Sequence, residues 1–165
     1  MLELLLLRHG IAADAADDAI DPELADRARP LTPAGRRRTA AVLQRLLALD
    51  LACTQLFSSP LLRARQTAEL ALQAGLAPVL HEAPALAPGG DAAGWLQQHS
   101  AGQRLNGQRW ALVGHEPDLS SLAAGLIGAA PGSLQLKKAG VALLAWTPEQ
   151  SRARLLLLVP PRVLL

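Results

Sequence analysis

The chain has 165 residues, a length that fits one domain with a substantial buried core. Half of the residues are hydrophobic and 18% are charged, which excludes a disordered chain, and an aromatic content of 2% without a single Tyr argues against nucleic-acid binding by base stacking. The 16 basic and 14 acidic residues leave a net charge of +2, too even to call for a polyanionic or membrane-surface partner.

In chain order, the first element is the continuous apolar run Leu2–Leu7, which reads as a buried strand. It is far shorter than the roughly 20 residues of a membrane span, and it lacks a basic leader and a small-residue cleavage site. A cytoplasmic protein with no membrane partner is therefore expected. The segment Ile11–Arg29 carries Asp14, Asp17, Asp18, Asp21, Glu23 and Asp26 among small residues. It directly follows a strand and is expected to cross the sheet's C-terminal edge, as a solvated acidic loop or short helix. A lid over a site is the sharper alternative. A helix over Pro33–Leu49 follows, with Thr32 as N-cap and proline at its first position, where the missing N–H costs nothing. Its opening Arg36-Arg37-Arg38 reads as a solvated face.

A strand is predicted over Ala52–Phe57, with Cys53 as inert packing. As the only cysteine, it rules out an intramolecular disulfide and fits a reducing compartment. Next come a helix over Pro60–Ala74 capped by Ser59, a strand over Ala77–Leu80 and a helix over Asp91–Ser100. A strand at Trp110–Val113 leads to a helix at Pro117–Ile127. The runs Val141–Trp146 and Arg154–Val159 read as buried strands, and with no long helix between them they are expected to pair antiparallel. Trp95, Trp110 and Trp146 are assigned to the core, and His81 and His99 to the surface or to loops. The alternation predicts a single domain over residues 1–165: a three-layer α/β/α fold with a mostly parallel central sheet and helices on both faces.

Chemistry-bearing residues gather where strands end. Arg8-His9-Gly10 closes the first strand, Arg63 stands near the start of the helix after the second, and Gly114-His115 follows the Trp110–Val113 strand. Open α/β sheets bind ligands just beyond the carboxyl ends of their strands, so parallel strands would bring these groups around one crevice. A cation at a helix start opposes the helix dipole and becomes sensible beside a bound anion. Arg65, by contrast, reads as an exposed helix decoration. Two guanidiniums can hold a phosphate and neutralise it, after which a neutral imidazole can attack phosphorus.

Arg8-His9-Gly10, Leu31-Thr32 with Gly35, Ser59-Pro60 with Arg63-Ala64 and Gln66-Thr67-Ala68, and Gly114-His115 together resemble the histidine phosphatase superfamily, also called phosphoglycerate-mutase-like. Arg29-Pro30-Leu31-Thr32, Gly90-Asp91 and Val113 through Ser120 are similar to its small SixA-type branch of phosphohistidine phosphatases. The resemblance spans residues 2 to about 160. It implies a phosphatase in which His9 takes the phosphoryl group, Arg8 and Arg63 hold its oxygens, and His115 hydrogen-bonds to them, with no metal and no cofactor. It implies as partner a phosphorylated protein, such as a phosphotransfer domain, or a small phosphate ester.

One departure from the family pattern bears on the substrate. Many members carry a glutamate after the second arginine helix as acid for an ester leaving group, and here Ala85-Leu86 stands where a Glu-Leu pair is expected. Glu82 and Asp91 are the nearest carboxylates. If neither acts, alkoxide leaving groups are poorly served, whereas an imidazole leaves with less help, so phosphohistidine is the expected substrate. A broad phosphomonoesterase using Glu82 or Asp91, and a non-catalytic phosphate-binding adaptor, are the alternatives. Competing mechanisms fail specific checks. Ser59 lies six residues after Cys53, where a cysteine phosphatase needs arginine, and Leu119 occupies the second histidine position of a zincin motif. No Gly-Lys-Ser/Thr loop or Gly-x-Ser-x-Gly elbow is present.

Overall fold

The computed structural model describes residues 1–150 and 152–165. Six strands, β1 (Leu2–Arg8), β2 (Gln55–Ser58), β3 (Leu80–Glu82), β4 (Gln108–Gly114), β5 (Val141–Trp146) and β6 (Arg154–Val159), form one sheet in the order β3-β2-β4-β1-β5-β6. The first four run parallel, β5 runs antiparallel to β1, and β6 runs antiparallel to β5. The fold is three-layered. Leu4 and Leu6 of β1 pack into a layer with α4 (Ala92–Ser100) and α5 (Asp118–Ile127). Leu5 and Leu7 face α2 (Pro33–Ala48), α3 (Leu62–Ala74) and α6 (Pro161–Leu164) on the other side. Because β1 is covered on both faces, its sequence is an uninterrupted apolar run. Each leucine so buried contributes roughly 1.5–3 kcal/mol relative to exposure.

Several expected boundaries move, each for a physical reason. The expected strand Ala77–Leu80 begins only at Leu80, because Leu76 and Ala77 turn into the core after Gly75 ends α3 with φ 84°, and Pro78 has no N–H to give a ladder. The expected helix Pro60–Ala74 starts at Leu62, and Ser59 does not cap it; its hydroxyl is engaged elsewhere. The helix expected at Pro117 starts at Asp118. In α2 the expected cap holds, with Gly35 N–H donating to Thr32 Oγ1 at 2.9 Å and Pro33 in the first turn. The run Arg154–Val159 is a strand but not a buried one: it lies at the sheet edge, and Leu155, Leu156 and Leu158 are exposed. Periodicity alone cannot tell an edge strand from a central one when every residue is apolar.

The acidic connection contains a short helix, α1 (Pro22–Arg27), capped by Asp21, whose Oδ1 accepts the Leu24 N–H at 3.0 Å. Around it the chain is tied back on itself. Ala12 bridges Leu31, Ala13 N–H donates to Pro30 O at 2.8 Å, and Arg29 Nε donates to Ala13 O at 2.7 Å. No helix among the described residues is long and apolar enough to cross a membrane.

Candidate active site

β1 delivers Arg8 and His9 to the sheet's C-terminal edge and holds them there from both sides. Arg8 N–H donates to Gly140 O and His9 N–H to Gly114 O, each at 3.1 Å, and Ala139 N–H closes on His9 O from the opposite loop. The next residue must be small. A Cβ at Gly10 would lie 2.3 Å from Thr39 Oγ1, and the Gly10 N–H donates to Thr67 Oγ1 at 3.0 Å. Thr67 in turn donates to Arg63 O at 2.8 Å, so one threonine of α3 ties the turn after His9 to the helical turn that carries Arg63.

Arg63 in the first turn of α3, and His115 just after β4, are both buried, as is His9. The His9 and His115 rings lie 5.1 Å apart between centroids at 53°. His9 Nδ1 lies 2.7 Å from Gly10 O. A carbonyl only accepts, so this nitrogen carries the hydrogen and Nε2 keeps its lone pair. His115 Nε2 pairs with Ser59 Oγ at 2.7 Å, and that oxygen also accepts the Leu61 N–H at 3.3 Å. The contact explains why Ser59 does not cap α3.

Arg8 Nη1 donates to Leu136 O at 2.9 Å. The Leu136 N–H is held by the Glu116 carboxylate at 3.3 Å and by Ser120 Oγ at 3.1 Å, while Ser120 Oγ–H donates to Glu116 Oε2 at 2.6 Å. Arg8 is thus braced, through Leu136, by Glu116, the residue after His115, and by Ser120 of α5. Arg63 is anchored by α1. Its Nη1 donates to Asp26 O at 2.7 Å and its Nη2 to Asp26 Oδ2 at 3.2 Å, while Arg29 Nη1 donates to Asp26 Oδ1 at 2.9 Å. The acidic connection therefore reaches Arg63 through Asp26.

Three nitrogens of this cluster, Arg8 Nε, Arg63 Nε and His115 Nδ1, are buried without a hydrogen-bond partner among the described residues. Unpaired buried donors are costly, and a set of them on residues close enough to act on one another suits an oxyanion. Burial first, then the charges of Arg63, Arg8 and Lys138, push the His9 imidazole down to about 4 despite its bond to Gly10 O. Burial, His9 and the two arginines push His115 down to about 3, against a raising influence of Asp26. Both rings are neutral at pH 7. Burial alone would raise the Asp26 carboxyl, but its bonds to Arg29 and Arg63 and their charges hold it below the ordinary carboxylate value, so it is ionised.

The structure thus brings Arg8, His9, Arg63 and His115 together. It does not bring the two candidate acids to them. Glu82 sits on the edge strand β3, lining a surface cavity of about 250 Å³ with His81, Trp95 and His99. Asp91 caps α4, its Oδ1 accepting the Gly94 N–H at 2.8 Å. Neither hydrogen-bonds to any of the four, and neither is among the charges acting on the two imidazoles. Ser59, Thr67, Asp26 and Glu116 have places at the site that spacing did not assign. Thr67 lay inside a recognised motif, and Asp26 was one of six acids in a segment with no pattern to single it out. Arg65 and Arg36-Arg37-Arg38 are exposed, and Cys53 is buried with its thiol pushed up to about 12 by burial.

Comparison with known proteins places this arrangement. A family model described as histidine phosphatase superfamily (branch 1) matches residues 4–86, which include Arg8, His9 and Arg63. An uncharacterized protein of Picosynechococcus sp. is 43% identical over 141 residues, covering 85% of this chain and 82% of its own length. Among solved structures, the protein histidine phosphatase SixA complexed with tungstate superposes with a TM-score of 0.80 at 25% identity, over 99% of both chains. A putative phosphohistidine phosphatase SixA from Nakamurella multipartitia gives 0.72 at 25% identity over 96% of this chain and 95% of its own. That from Agrobacterium tumefaciens gives 0.73 at 23% over 96% and 97%. The matched segment stops before His115, but the fold carries that residue back to the same crevice. The chain belongs to branch 1 of the histidine phosphatase superfamily, and its activity is that of a phosphatase.

Proposed function

We propose that the chain dephosphorylates phosphohistidine in a protein, through a phosphoryl group carried transiently on His9. The observation that carries this reading is the neutral His9, with Nδ1–H donated to Gly10 O and Nε2 free, standing against buried and unpartnered Arg8 Nε, Arg63 Nε and His115 Nδ1. Arg8 and Arg63 take the non-bridging phosphoryl oxygens and offset their charge, which otherwise repels a nucleophile. With Ser59 Oγ–H donating to His115 Nε2, His115 keeps its hydrogen on Nδ1 and offers it to a third oxygen. The His9 Nε2 lone pair forms the N–P bond as the bond to the leaving nitrogen breaks, and that nitrogen takes a proton from solvent. Water then attacks phosphorus, the N–P bond to His9 breaks, and inorganic phosphate and neutral His9 are released.

The choice of substrate rests on the acid the site lacks. Of the two carboxylates beside the cluster, Glu116 is taken up by Ser120 and the Leu136 N–H, and Asp26 is ionised by its two arginines, so it is a poor proton donor. An alkoxide needs a proton as it departs, whereas an imidazole departs readily because its nitrogen protonates near neutral pH. The test is turnover of a phosphohistidine peptide, p-nitrophenyl phosphate and a simple alkyl phosphate by wild type and by His9→Ala. The expected result is fast cleavage of the first, slow cleavage of the third, loss of both in the variant, and an acid-labile phosphate trapped on His9. Equal rates on phosphohistidine and the alkyl ester would leave a broad phosphomonoesterase, and no turnover of any by wild type would leave a phosphate-binding adaptor.

A further inference from the structure

The contact between α1 and Arg63 divides the guanidinium into two edges. Asp26 takes one N–H of Nη1 with its backbone oxygen and one of Nη2 with its carboxylate, while Nε is buried and partnerless. A planar guanidinium presents its five N–H groups in a fixed fork, so an anchor at the Nη end fixes which edge remains for an anion. Asp26 is also the more exposed partner, with 41% of its side-chain surface open against 7% for Arg63. It thus lies on the solvent side of the arginine. Its charge reaches the site's second imidazole as well, since Asp26 acts on His115.

We propose that Asp26 is a specificity-determining residue: it turns the Nε edge of Arg63 toward the phosphoryl group, and its carboxylate selects against leaving groups that carry a negative charge. The inference rests on the phosphatase reading of the same pocket. The groups of the cluster itself are cationic or neutral: Arg8, Arg63, His9 and His115, with Lys138 close enough to act on His9; the Glu116 carboxylate acts on Arg8 but is taken up by Ser120 and the Leu136 N–H. Such a pocket alone welcomes any additional anion. Asp26 is the counterweight, shared between Arg63 and Arg29. With Asp26 ionised, the rim resists a carboxylate or second phosphate on the departing group and accepts an imidazole or imidazolium. Without it, Arg29 and Arg63 are left as two uncompensated cations at the same rim.

A matched series tests this: phenyl phosphate and its para-carboxylate and para-aminomethyl analogues, which place nothing, an anion or a cation on the leaving group. The quantity read is the ratio of kcat/KM for the cationic to the anionic member, which cancels any general damage to the enzyme. Wild type should prefer the cationic member. Asp26→Asn, with its amide oxygen on Arg63, keeps both oxygen acceptors for the Arg63 fork while it removes the charge and the acceptor for Arg29, and should lower the ratio about fivefold or more, an order of magnitude set by one charge acting across a partly exposed site. Asp26→Ala should lower the ratio equally and also reduce kcat on all three, because Arg63 loses a side-chain anchor. An unchanged ratio in Asp26→Asn, or an equal loss on all three members, overturns the inference while leaving the phosphatase reading intact. Wild type that cleaves the phosphohistidine peptide but shows no preference for the cationic member, or turns over none of the three, overturns the inference alone, and wild type that also fails on the phosphohistidine peptide sinks both.

Discussion

At Gly10 the backbone passes Thr39 so closely that an added Cβ would stand 2.3 Å from its hydroxyl, and Leu31 lies behind it at 3.3 Å. Gly10→Ala is therefore expected to cost about 1–3 kcal/mol of stability, the range for overpacking a tight site, and to displace the carbonyl that holds His9 Nδ1. Thr39 Oγ1 is itself buried without a partner among the described residues. Thr39→Ala alone should accordingly cost little, and added to Gly10→Ala it should recover most of the lost stability, as read by urea midpoints. Failure of the double variant to recover would mean that the clash is not with Thr39. A second residue-scale prediction concerns Ser59. Ser59→Ala leaves the buried His115 Nε2 without its 2.7 Å partner and frees the ring to turn. A roughly tenfold fall in kcat is expected, the scale of one lost hydrogen bond at a reacting centre, with far less change in KM. A variant with unaltered kcat would show that the pairing does not orient the ring.

At the scale of elements, α2 and α3 are positioned by backbone approaches that spacing alone does not reveal. Gly35, near the start of α2, lies so close to Ile11 that a Cβ would stand 2.1 Å from its carbonyl oxygen. Unlike the Gly10 clash, this one is with backbone, so no single partner substitution relieves it. Gly35→Ala should destabilise the fold by about 1–3 kcal/mol or more, and it should speed hydrogen exchange over the segment that begins at Ile11, since the helix start and that segment are pressed together. Equal exchange in both proteins would refute the link. These two glycines also show how far the sequence was readable. The strand ends, the α2 cap at Thr32 and the order of the elements followed from apolar runs and prolines, because local chemistry decides them. The positions of Asp26 and Ser59 did not, because they depend on which element is folded over which. Ser59 has the residue type and place of a helix cap, and only the proximity of β4 to β2 turns it toward His115 instead. The β6 misassignment has the same origin: an all-leucine run looks central, and the strand order alone puts it at an edge.

For the whole molecule, the same burial that keeps two imidazoles ready for chemistry makes the fold acid-sensitive. His9 and His115 are pushed from 6.5 to about 4 and about 3, first by desolvation. In the unfolded chain they take up protons near pH 6.5, while the folded protein refuses them. Stability is therefore complete above pH 6.5 and falls as the pH drops toward 4, by up to about 1.4 kcal/mol per pH unit for each imidazole. The Asp26 carboxyl, held below its ordinary 3.8, adds its own loss only beneath that window. Urea midpoints measured from pH 7 to pH 5 should accordingly decline in wild type, with His99, also pushed down by burial, acting in the same direction, and His115→Asn should decline less steeply because one of the refusing groups is gone. An oxyanion such as tungstate, bound between the guanidiniums, makes imidazolium easier to form and also binds only the folded state, so it should flatten the decline further. A midpoint that stays level from pH 7 to pH 5 in wild type would show that the two rings do not remain neutral in the folded protein, and the neutral nucleophile at His9 would fall with them.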